Sequence, residues 1–99
     1  MYRHIIDPGH SWLEVPLRDL NRVGFVPSTY SYYDPTYAMT YLEEDCDMPG
    51  YIEAVVGTDR EAVREFYATQ MEVRHVDDFK RRFKGRVSRP VPGAKDPIL

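Results

Sequence analysis

The stretch from Thr29 to Asp47, TYSYYDPTYAMTYLEEDCD, constrains this chain more than any other. Tyr30, Tyr32, Tyr33, Tyr37 and Tyr41 crowd around the turn signal Asp34-Pro35-Thr36, and β-formers on both sides of one breaker specify a hairpin. A four-residue loop pairing Tyr32 with Tyr37 gathers Tyr30, Tyr32, Tyr37, Met39 and Tyr41 on one side and so segregates the large residues. A slip of one residue reverses every side chain, so register decides whether that face is core or surface. Glu43, Glu44, Asp45 and Asp47 follow, around Cys46, the only cysteine.

A second hairpin precedes it. Asp7-Pro8-Gly9-His10 suits a type II turn, with proline presetting the first central residue and glycine accepting positive φ at the second. Arg3 then faces Glu14 and Ile5 faces Trp12 on one side of the ribbon, while His4 pairs with Leu13 on the other. Pro16 opens a short helix with Leu17 and Leu20 on its apolar stripe, closed by Gly24. Asp47 suits the N-cap of a helix running to Gly57, with Pro49 in its first turn. Thr58 and Glu61 form a capping-box pattern for a second, amphipathic helix to about Gln70. Met71 to Val76 is a last strand, and Asp77 caps a short helix that carries Phe79 and Phe83 one turn apart.

The expected architecture is therefore α+β: an antiparallel sheet of four to five strands, two hairpins plus a late strand, with two consecutive helices packed on one face. Residues 1–85 form a single domain, and 99 residues allow one core rather than two. Residues 86–99 are a Pro/Gly-containing irregular tail.

Charge divides the chain. Residues 1–70 carry five Lys and Arg against twelve Asp and Glu, and residues 71–99 carry eight against four, so −7 precedes +4 within a net −3. Lys80, Arg81, Arg82, Lys84, Arg86 and Arg89 make nucleic-acid binding an alternative function, which the acidic remainder opposes at any broad interface. No apolar run reaches the ~18 residues of a membrane span, and no secretory apolar segment opens the chain. A lone cysteine fits a reducing cytoplasm.

The candidate chemistry is sparse. His4, Asp7 and His10 do not converge on a metal, because His4 points away from the other two. Glu43 to Asp47 lack the converging oxygens and fixed loop of a hard-cation site, so neither metal nor cofactor is expected. Cys46 gains from a helix start but is opposed by flanking carboxylates, which raise a thiol pKa. A small hydrolase or metal protein using Asp7, His10 and Cys46 therefore ranks third. No P-loop, dinucleotide fingerprint or nucleophile elbow occurs.

Three blocks together carry a resemblance: HxxDPGHxWLEVP from His4 to Pro16, SxYSY from Ser28 to Tyr32, and YLEEDCD from Tyr41 to Asp47. Over roughly residues 4–55 the chain resembles a family of small bacteriophage- and plasmid-encoded proteins. The resemblance implies an accessory product of a mobile element in the bacterial cytoplasm, and it brings no activity with it. The leading expectation is a non-enzymatic protein that binds a host or phage protein, with inhibition of a host process such as a defence system as one outcome. Its contacts are expected to be Trp12, Tyr30, Tyr32, Tyr37 and Tyr41, rimmed by Glu43 and Glu44, since Tyr and Trp dominate interface hot spots.

Overall fold

A computed structural model describes residues 1–74, 79, 83 and 85–95. Five strands, β1 (Arg3–Ile6), β2 (Ser11–Pro16), β3 (Tyr32–Asp34), β4 (Met39–Glu43) and β5 (Met71–Arg74), form one open sheet in the order β3-β4-β2-β1-β5. Three helices accompany it: α1 (Leu17–Val23), α2 (Met48–Val56) and α3 (Arg60–Thr69). The fold is α+β, as the element pattern predicts. Four strands are antiparallel, but β5 lies parallel to β1, so the sheet is mixed. The two consecutive helices cause this: they carry the chain from β4 across the sheet, and β5 enters running in the same direction as β1.

The first hairpin has the expected register, with Arg3 opposite Glu14, His4 opposite Leu13 and Ile5 opposite Trp12. Its turn differs. Gly9 does not take the left-handed φ of a type II turn; instead the Asp7 carboxylate accepts the Gly9 and His10 amides at 3.0 and 2.8 Å, a side-chain-built turn. Gly24 does adopt a left-handed φ of 68° and closes α1.

The tyrosine hairpin corrects the expected register. Tyr32 pairs with Tyr41, Tyr33 with Thr40 and Asp34 with Met39, which leaves residues 35–38 as the loop. Tyr37 therefore sits in the turn rather than opposite Tyr32. Asp34 caps this turn by accepting the Thr36 amide at 2.9 Å. The partner of Tyr32 has moved by four positions, an even number, so Tyr32, Met39 and Tyr41 still share one face.

Two further corrections concern helix entry. Asp47 occupies the N-cap position of α2, yet its side chain makes no cap bond to the helix. The carboxylate turns back to accept the Ser28 amide and hydroxyl, each at 2.8 Å, and the Ser31 hydroxyl. At α3 the cap is Asp59, which accepts the Ala62 amide at 3.0 Å, rather than Thr58. Gly57, at φ 85°, separates the two helices.

Both faces of the sheet are covered, each by its own cluster of buried side chains. On one face Leu13, Val15 and Leu42 pack with Leu20 of α1, Met48, Tyr51 and Ile52 of α2 and Phe66 of α3. On the other, Ile5, Trp12, Tyr32 and Tyr41 pack with Phe79, Phe83 and Val87. Strict alternation along β1, β2 and β4 feeds both clusters, because residues at i and i+1 of a strand point to opposite faces. Residues 86–95 form no helix or strand, but they are anchored to β3 and the stretch before it. Tyr33 and Ser88 exchange backbone hydrogen bonds at 2.8 and 3.0 Å, and the Lys95 amide reaches the Pro27 carbonyl at 3.0 Å. Val87 and Val91 are buried, so the core draws on residues on both sides of position 85.

Candidate functional site

One end of the sheet gathers the β1–β2 turn, the start of β3, the end of β4 and the segment around Arg89. Between them lies a cavity of ≈ 490 Å³, inside the range of about 300–1,000 Å³ typical of ligand pockets. Its apolar wall is Trp12, Tyr32 and Phe79, with Trp12 stacked on Phe79 at 4.1 Å between ring centroids. Tyr30 stands at the cavity half-exposed, at 45%. Polar groups come from Asp7, His10, Glu43, Asp45, Cys46 and Arg89.

The alternating strands explain this convergence. Trp12 and Glu43 are directly opposite each other on β2 and β4, and Tyr32 lies one strand further along on the same face. His10 continues β2 outward and sets its ring edge-on to Trp12 at 5.7 Å. Sequence reasoning grouped Asp7 and His10 with Cys46 only as a third-ranked reading and did not join Glu43 to them, because the turn and the acidic run are more than thirty positions apart. The β2–β4 register joins them.

Burial pushes the Asp7 carboxyl up, but amide hydrogen bonds from His10, Phe79 and Gly9 outweigh it and hold the group below its ordinary range. Asp7 is thus a structural anion that pins the turn to Phe79. Glu43 accepts the Asp45 and Cys46 amides at 3.1 and 2.9 Å. Shielding from water, the acceptor Glu43 and the neighbouring carboxylate charges push the exposed Cys46 thiol up to about 11. That opposes a nucleophilic role, since the thiolate is the reactive form. Arg89 lays its guanidinium 4.2 Å from the centroid of the Tyr32 ring while its Nε donates to the Tyr30 carbonyl at 2.8 Å.

Glu44 leaves β4 on the other side. It accepts the Ser11 hydroxyl at 2.9 Å, and Ser11 in turn meets His4 Nε2 at 3.1 Å. Its second oxygen lies 3.9 Å from His10 Nδ1. One ligand atom each of His10, Glu43 and Glu44 lie within 4.8 Å of one another. Ligands around a single zinc stand closer, about 3.4 Å apart for bonds near 2.1 Å, so these side chains must close in to hold an ion. The separate treatment of the turn histidines and the acidic run missed this grouping.

The expected contact residues divide. Trp12, Tyr32 and Tyr41 are 5%, 7% and 2% exposed, and the Tyr41 hydroxyl donates to Glu14 at 2.9 Å. A continuous exposed Trp/Tyr face is therefore corrected: the face is core, because Phe79, Phe83 and Val87 pack on it. Tyr30 and Tyr37 are exposed but stand at opposite ends of the hairpin. Among the basic residues, Lys80, Arg81, Arg82 and Lys84 lie outside the described residues. Arg86 is engaged within the chain, donating to the fully buried Asp34 carboxylate at 3.0 Å and lying over the Phe83 and Tyr37 rings.

Among the described residues, no helix is long and apolar enough to cross a membrane. Compared with protein-family models, with curated proteins and with solved structures, the chain matches none.

Proposed function

We propose that this chain is a non-catalytic binding protein that engages a protein partner through the end of the sheet that carries the cavity. The observation that carries the reading is the composition of that end. Exposed Tyr30 and a rim of carboxylates surround a concavity walled by buried aromatics, the arrangement of an interface anchor site. Two polar groups beside it are unsuited to catalysis, with Asp7 held by three amides and the Cys46 thiol pushed away from its reactive form. The resemblance of the His4–Pro16, Ser28–Tyr32 and Tyr41–Asp47 blocks supports reading the protein as an accessory product of a phage or plasmid. As such it acts in the host cytoplasm on a host or phage protein, with inhibition of a host process as its consequence.

Affinity capture from lysate of infected bacterial cells tests the reading. The wild-type chain is expected to retain a defined protein that Tyr30→Ala loses while its circular dichroism stays unchanged. Equal retention by both chains, or retention of nothing specific, overturns it.

A further inference from the structure

We infer that the cavity is a receptor for a guanidinium group, the arginine side chain of the protein partner. The inference rests on the proposed partner-binding function and specifies its contact chemistry. Among the described residues, three carboxylates, Asp7, Glu43 and Asp45, line the cavity with one permanent cation, Arg89, so this described lining carries an excess of negative charge. Asp7 is consumed by amide hydrogen bonds, whereas Asp45 is exposed at the rim. Glu43 pairs directly with Trp12 across the strands, and one of its oxygens, Oε2, accepts the Asp45 and Cys46 amides. Apolar aromatic faces with carboxylates at the mouth suit a planar delocalised cation, which stacks on rings and forks its N–H groups to carboxylate oxygens.

The protein already uses this chemistry once at the same wall. The Arg89 guanidinium lies on the Tyr32 ring and bonds the Tyr30 carbonyl. The internal contact shows that these aromatic and carbonyl surfaces accept a guanidinium, and the remaining ≈ 490 Å³ beside it accommodates another. A compact ammonium gains less from stacking and cannot fork, so arginine is favoured over lysine.

The full chain carries its own reporter. Trp12 is the only tryptophan, it forms the wall, and its indole N–H is buried with no acceptor among the described residues. Titration with N-acetyl-arginine methylamide, followed by Trp12 fluorescence and the indole N–H resonance, is expected to saturate with a dissociation constant on the order of 1 mM, as befits one side chain. The citrulline analogue, isosteric but neutral, is expected to leave both signals unmoved, and the lysine analogue to bind several-fold more weakly. Asp45→Asn and Glu43→Gln are expected to weaken arginine binding at least fivefold, because each removes a rim charge while keeping a hydrogen-bonding oxygen. Absence of saturation, equal response to citrulline, or unchanged binding by both variants overturns the inference. A saturating titration alongside failed capture removes the partner reading and leaves the site standing; successful capture with a flat titration does the reverse.

Discussion

At the scale of single residues, acidic side chains do most of the joining. Asp47 is buried at 4% exposure and ties residues 28 and 31 to the start of α2. Asp7 ties the first turn to Phe79, and the fully buried Asp34 holds Arg86. Each carboxylate satisfies backbone or side-chain donors that burial otherwise leaves unpaired, at a cost of about 1–3 kcal/mol per group. Glu43 does something else, since it suppresses the thiol beside it. With the Cys46 pKa pushed up to about 11, the thiolate fraction near neutral pH falls roughly 100-fold below that of an ordinary cysteine. A thiolate of higher pKa is intrinsically more nucleophilic, which offsets part of this, so iodoacetamide is expected to label the folded chain about tenfold more slowly than an unstructured cysteine peptide at pH 8. Glu43→Gln is expected to accelerate labelling several-fold. Labelling of the wild type at the peptide's rate contradicts the assigned state.

At the scale of elements, the local signals were sound in kind and displaced in position. The Thr58–Glu61 spacing satisfies the capping-box pattern, but Asp59 takes the extended backbone of an N-cap and accepts the Ala62 amide. Asp59→Ala is expected to cost about 1 kcal/mol in urea unfolding, whereas Thr58→Ala costs less than about 0.5 kcal/mol. The reverse order restores Thr58 as the cap. The tyrosine hairpin shows the same displacement. Asp34 and Pro35 do mark the turn, but as its first residues rather than its middle, because Asp34 pairs with Met39 as the last strand position and also accepts the Thr36 amide.

At the scale of the whole molecule, the decisive feature is that the sheet is covered twice. The helices shield one face, and Phe79, Phe83 and Val87 shield the other. The segment after Gly85 is part of that cover and also screens β3, whose open edge otherwise offers unpaired backbone groups to other chains. A chain ending at residue 85 loses Val87, Val91, the Tyr33–Ser88 bridge and the Arg86 partner of Asp34. It is expected to be less stable by at least about 3 kcal/mol, since a buried valine contributes about 1.5 kcal/mol or more and a stranded buried carboxylate is costly. Urea unfolding monitored at Trp12 measures the loss; an unchanged midpoint shows that the segment contributes nothing.

The sequence by itself determined the types of the described elements, the first hairpin's register and the parity of the second, because these follow from helical or period-two patterning, caps and turn chemistry acting over a few residues. Cross-strand pairing of Arg3 with Glu14 and Ile5 with Trp12 was legible for that reason. The expected Asp77-capped helix and the end of the last strand at Val76 lie outside the described residues. Only the tertiary structure decided which face of the tyrosine hairpin is covered, since the cover comes from Phe79 and Phe83, some forty residues away, and alternation cannot say what packs on either side. It alone decided the parallel pairing of β5 with β1, which depends on where α2 and α3 set the chain down. The candidate site has the same origin. Asp7, His10, Glu43 and Cys46 were each visible as reactive types, but they meet only because β2 and β4 are neighbours in the sheet.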